Sequence, residues 1–315
     1  MAVTEKTPRR IKAQPYGDYG PHPRLHPVYA ALVWVVAVLV MGSVQVLSSI
    51  LGMALPGIDL QEPSMPTNLL YMLVVIFGFS ALAMVLWVRF VENRPLASMG
   101  LRRQKALGRF VRGLVVGLVF NAIAVFTIFA LGGYDIAALA PALHAPGALL
   151  MIALLFAGFI VQGSTEEIMM RGWVLSAMAA RWGLVVAIIV NSTIFAALHL
   201  GNEGLDHVNW IAMANIVLVG LFLSLYAVRE GSLLGVCGFH GAWNWLLGLG
   251  FGLDVSGSTV DVPALIVDFD NKAGAADWLT GSSFGPEGSL VVSIVLFLGV
   301  LWFLRPGKKK EEKSA

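Results

Sequence analysis

The stretch GALLMIALLFAGFIVQGSTEEIMMRGWVLSAMAARWGLVVAIIVNSTIFAALHL, residues 147–200, decides how the rest of the chain is read. It is almost wholly apolar, yet Glu166, Glu167, Arg171 and His199 stand inside it. A bilayer core takes about 20 apolar residues as a helix, and Gly147–Ala180 exceeds that before the break Arg181-Trp182-Gly183. With that break as the turn of a helical hairpin, Glu166 precedes it by about 16 residues and His199 follows it by about 16. At 1.5 Å per residue both sit roughly 24 Å from the turn. They are level with one another on adjacent antiparallel helices.

The composition supports reading that stretch in a membrane. Of 315 residues, 57% are hydrophobic and 13% charged, and the mean hydropathy is +0.79. A soluble domain carries about a quarter charged residues, so a disordered chain and a soluble enzyme are both excluded. The net charge of +2 gives no nucleic-acid footprint, and the single Cys237 has no intrachain disulfide partner. Further apolar runs lie at Val28–Leu55, Asn68–Val88, Gly113–Leu131, Val208–Val228, Leu233–Leu253 and Ser289–Leu304. With the hairpin, these predict an all-α polytopic bundle of about eight transmembrane helices with an intramembrane active site.

The expected organisation is a polar arm at 1–27, disordered and cytoplasmic, a transmembrane domain at 28–304, and a basic cytoplasmic tail at 305–315. The first run is too long and too late for a cleaved signal peptide and reads as a signal anchor. The arm carries five Lys/Arg, Arg89–Arg112 seven, and the tail five. The segments around Asp59–Glu62, Asp135, Glu203–Asp206 and Asp254–Glu287 hold one, Lys272, so that all the remaining Lys/Arg except the intramembrane Arg171 fall on the other side. The positive-inside rule makes that side the cytoplasm. The expected location is a bacterial cytoplasmic membrane, multi-pass, with both termini inside. The Arg89–Arg112 loop reads as a topology determinant. The outer segment Asp254–Glu287, ending in turn residues, reads as a lid or a partner surface.

Ionisable side chains inside a bilayer cost several kcal/mol, so each is a functional hypothesis. They form three groups here: Glu166-Glu167-Ile168-Met169-Met170-Arg171-Gly172, Phe195-Ala196-Ala197-Leu198-His199, and His240-Gly241-Ala242-Trp243-Asn244. Glu167 and Arg171 are four apart and able to pair. Glu166 is turned about 100° away, which leaves it free for proton transfer. His240 and Asn244 also share a face. Their helix is rich in glycine, which lets backbones approach closely and brings that face against the hairpin. If this helix starts near Gly231, His240 lies roughly 14 Å deep and Asn244 roughly 20 Å. A structural ion pair and interhelical hydrogen bonds would explain these residues singly; a Glu, two His and an Asn at matched depth point to a site.

Such a set can hydrolyse a peptide bond without a covalent intermediate. Glu166 would act as base on water, a histidine would orient the water or protonate the leaving amine, and Asn244 would donate to an oxyanion, an effect worth about 3 kcal/mol elsewhere. Ser164 lacks a nucleophile elbow, and Cys237 reads as packing. Glu166, His199 and His240 are also a ligand set that suits catalytic zinc, though no His-Glu-x-x-His helix is present. Water activated directly and water on a metal stay open alternatives.

Glu-Glu-x-x-x-Arg, Phe-x-x-x-His and His-x-x-x-Asn, in this order on successive helices, resemble the type II CAAX prenyl protease and bacteriocin-processing family, also called CPBP or Abi. The resemblance covers Gly158–Gly250. It implies an intramembrane endopeptidase of eight helices with Glu166 activating water, His199 and His240 as its partners, and Asn244 completing the oxyanion site. Glu167, Arg171 and Phe195 take supporting roles. It implies a peptide or protein substrate, lipidated in some relatives, and no nucleic acid; it does not by itself imply CAAX specificity. The rival readings are a non-enzymatic immunity or scaffold protein retaining the fold, and a transporter or proton relay, for which an internal repeat is missing.

Overall fold

The computed structural model describes residues 14–17, 27–202, 204, 206 and 208–305. The rest of the expected polar arm, Glu203, and the tail from 306 onward lie outside the described residues. All eight apolar runs are helical: α1 (Pro27–Met53), α2 (Pro66–Val91), α3 (Ala106–Ala130), α4 (Ala148–Trp182), α5 (Leu184–Ala197), α6 (Trp210–Glu230), α7 (Leu234–Trp245, continuing to Gly250) and α8 (Leu290–Leu304). Five of them, α1 to α4 and α6, are long and apolar enough to cross a membrane, while α5 and α8 are shorter apolar helices. Their outer faces carry exposed Leu39, Leu47, Phe90, Val185, Phe297 and Leu298. Such a surface has lipid, not water, as its solvent.

Local chemistry sets the boundaries. The α4–α5 turn is at Gly183, whose φ of +88° disfavours a side chain. The Asn209 side chain accepts from the amides of Ile211 and Ala212 at the start of α6, and Ser289 accepts from Val292 at the start of α8. Both satisfy amide groups that a helix start leaves open.

Several features depart from a plain bundle. The helices lining the core widen into π-helical turns at Met72–Ile76 in α2, Ile168–Val174 in α4 and Leu246–Gly250 in α7. The α7 helix starts at Leu234, not near Gly231, which leaves His240 about 9 Å from the helix start rather than 14 Å. It packs along α3 as well as α4. A Cβ on Gly163 of α4 would come within 2.8 Å of the Gly241 amide of α7, and one on Gly238 within 2.3 Å of the Phe110 carbonyl of α3. These contacts exist because neither side chain does.

The α3–α4 and α7–α8 connections are paired in part. Strand β1 (Tyr134–Leu139) pairs antiparallel with β2 (Val267–Asn271), Tyr134 opposite Asn271 and Leu139 opposite Val267, with a bulge between Ile136 and Ala138. This ribbon ties the α3–α4 connection to the long Asp254–Glu287 segment. Two charges of the basic loop, Glu92 and Arg94, are also buried in the bundle, at 8% and 2% exposure. Glu166, Glu167 and Arg171 are therefore not the only formal charges inside it.

Candidate active site

The three polar groups converge. Glu166 and Glu167 end the α-helical part of α4, at the entrance to its π turn. Arg171, one turn on, donates from Nη1 to Glu167 Oε1 at 3.1 Å, both side chains fully buried. Its guanidinium lies over the Phe195 ring, 4.3 Å from the centroid, so the arginine is held by a carboxylate and an aromatic face together. Glu167 Oε1 is also 2.9 Å from His240 Nδ1. A carboxylate only accepts, so this contact assigns the Nδ1 proton and turns Nε2 toward Glu166, whose Oε2 stands 3.7 Å away. Glu166 and Glu167 thus divide one imidazole between them.

His199 follows the same logic at the end of α5. Its Nδ1 lies 2.8 Å from the Phe195 carbonyl oxygen, which assigns the proton there and leaves Nε2 as the second ring nitrogen. Phe195 meets the His199 ring edge-on at 4.7 Å and the His240 ring at 6.4 Å. One phenyl ring therefore braces the arginine and both histidines.

Glu166 has one anchored oxygen and one open one. Gln162 Nε2 donates to Oε1 at 2.6 Å, while Oε2 has no hydrogen-bond partner among the described residues. Asn244 Nδ2 in turn donates to Gln162 Oε1 at 3.0 Å, leaving its second N–H for another acceptor. Gln162 was not singled out from the sequence. Its signal was there: it lies four residues before Glu166, hence on the same face.

These groups line a cavity of about 390 Å³. Glu166, Gln162, His199, His240 and Asn244 form its polar wall, and Met41 of α1 with Leu69, Met72 and Phe77 of α2 its apolar wall. Ser256, Ser258, Thr259 and Val260 of the segment between α7 and α8 line it as well. Ser256 is held by Glu287, which accepts from the Ser256 amide and hydroxyl at 2.8 and 2.7 Å and from Trp243 Nε1 at 3.0 Å. One part of the Asp254–Glu287 segment thus lines the cavity.

The zinc set expected from Glu166, His199 and His240 shares this cavity but does not gather around one point. Among the described residues no three or more His, Cys, Asp and Glu side chains stand as a metal-binding group. His240 Nδ1 is taken by Glu167, and its Nε2 faces the Glu166 oxygen directly. As arranged, the residues do not fit a bound metal. Cys237 is buried in the core of α7, as packing requires.

With this geometry in place, residues 148–246 match the family model described as type II CAAX prenyl endopeptidase Rce1-like. This segment is similar to that family. That family is one of CAAX-type intramembrane proteases, peptide hydrolases, and the likeness covers 99 of the 315 residues. The matched segment begins with α4 and ends two residues after Asn244, so all three motifs fall inside it. No curated protein and no solved structure gives a match.

Proposed function

We propose that the chain hydrolyses a peptide bond of a membrane-associated or lipidated protein or peptide, with Glu166 as the base that activates water. The observation that carries this is the split state of Glu166: Oε1 is fixed by Gln162, and Oε2 faces the cavity 3.7 Å from His240 Nε2. A water bridging such a gap is held by both groups. Its oxygen adds to the scissile carbonyl carbon as one proton passes to Glu166. The free N–H of Asn244 donates to the oxyanion, and His199 Nε2 is the second polar group in reach of the cavity. The proton then moves from Glu166 to the amine nitrogen as the C–N bond breaks. Glu167 and Arg171 hold His240 in its tautomer, and no step is routed through a metal.

The apolar wall from α1 and α2 suits a substrate that arrives from lipid. Asn202 and the 255–260 segment, both outer by the charge pattern, line the cavity as well. That supports a site in the outer half of the bilayer, with both termini in the cytoplasm, the orientation the Lys/Arg distribution favours.

The test is a peptidase assay of the purified protein on a prenylated CAAX-type peptide and on an unlipidated membrane peptide, beside Glu166→Gln. The expected result is a loss of at least about 10²–10³-fold in a variant that still folds and inserts, with wild-type activity surviving a chelator. Full activity in Glu166→Gln would overturn the mechanism. Activity lost to the chelator and restored by zinc would replace the directly activated water by a metal-bound one.

A further inference from the structure

Composition gives the arm ahead of α1 no place in the bundle, yet Tyr16 is 1% exposed and belongs to the hydrophobic core that includes Leu233 and Val236 of the α7 end. Its hydroxyl donates to the Arg171 carbonyl oxygen at 2.6 Å, across 155 residues. Its own carbonyl accepts from the Arg102 guanidinium. Gly100 makes room for the ring: a Cβ there would lie 3.0 Å from Tyr16 Cε1. Burial, with the Glu167 carboxylate adding to it, raises the pKa of the phenol well above its ordinary value, so the group is a donor.

The partner of that hydroxyl sits in the π turn of α4, four residues beyond Glu167. Asn191 of α5 donates to the preceding carbonyl, that of Met170, at 2.6 Å. Two side chains from distant segments thus hold consecutive carbonyls of the one widened turn that carries the Arg171 side chain. From there the contacts run without a gap: Arg171 to Glu167, Glu167 to His240 Nδ1, His240 Nε2 toward Glu166.

We propose that Tyr16 is a positioning residue of the peptidase site, inserted by the N-terminal arm between the α4 π turn and the start of α7 to set how Glu167 holds His240. The inference rests on the roles given above to Glu166 and His240. It makes the arm part of the working enzyme, although Tyr16 does not line the cavity.

The test uses the full chain in lipid nanodiscs with Tyr16→Phe, which keeps the ring and removes the donor. Three quantities are read: kcat and KM on the peptide that wild type cleaves, thermal stability, and the ¹⁵N spectrum of labelled histidine, with the His240 signal assigned by His240→Gln. The expected result is a kcat lowered about tenfold to 100-fold, KM within about twofold, and a changed His240 signal. Arg102→Gln, which loosens the arm from its other side, should lower kcat less and add nothing in the Tyr16→Phe background. Wild-type kcat in Tyr16→Phe overturns the proposal, and so does a loss of kcat that tracks thermal stability while the His240 signal stays put. If Glu166→Gln is inactive and Tyr16→Phe is normal, this inference alone fails; if Glu166→Gln is active, the reading of the site fails first.

Discussion

Two buried carboxylate–arginine clusters stand on either side of the α4 π turn, and they are built differently. In one, Glu92 Oε1 accepts from Tyr29 at 2.5 Å and Trp173 at 2.5 Å, and Oε2 from Arg94 at 2.8 Å, while Arg94 also donates to Ser176 at 2.5 Å. Both carboxylate oxygens are used, and no member lines the cavity. In the other, Glu166 Oε2, Glu167 Oε2 and two Arg171 nitrogens lack a hydrogen-bond partner among the described residues. Glu166 faces the cavity. A buried carboxylate whose donors are complete has nothing left to do but hold helices together. One that keeps an oxygen open bears the desolvation cost where chemistry can use it.

The sharpest break to that contrast is Glu92→Ala. It leaves a buried guanidinium and two donors without their acceptor, a loss of about 3–5 kcal/mol, visible as a large fall in thermal stability. The specific activity of the protein that remains folded should stay within about twofold of wild type. A selective loss of activity at full stability would make the two clusters one machine. Next in size is Asn244→Ala on the open side: kcat should fall about 10²–10³-fold, with little change in melting temperature. An unaltered kcat would remove Asn244 from the oxyanion role. Gln162→Leu takes away the anchor of Glu166 and should cost about tenfold to 100-fold in kcat, the value of one hydrogen bond to a charged group. If KM rises instead while kcat holds, Gln162 binds substrate rather than positioning the base. The smallest effect belongs to Lys272→Ala. Its 3.8 Å contact with Asp135 is exposed, so stability should change by under about 1 kcal/mol and activity not at all. A larger change would show that the outer ribbon is coupled to the cavity.

Much of the site was legible because membrane chains use polar residues sparingly. With 13% charge, each ionisable group in an apolar run stands out, and helical periodicity tells which ones share a face. The Glu167–Arg171 pair and the glycine-assisted approach of α7 both follow from spacing. Gln162 escaped because an uncharged amide in an apolar run costs less and attracts less notice. Glu92 and Arg94 escaped because they sit beside exposed arginines, where burial leaves no mark on composition. The β1–β2 ribbon escaped because its paired residues lie far apart in the chain, Leu139 and Val267 being the nearest at 128 positions, and neither strand is a strong alternating pattern.

The sequence by itself determined the membrane class, the helical runs and the members of the three motifs, since the cost of burying polar groups in lipid acts residue by residue. Tertiary structure decided what each member touches. It gave Glu167 to both Arg171 and His240, left Glu166 with one open oxygen, and drew Tyr16 out of a polar arm into the core. Those outcomes depend on which donors meet which acceptors across helices, and hydrogen bonds are short and directional. A periodic pattern can bring residues to one face of a helix; only the packed bundle chooses their partners.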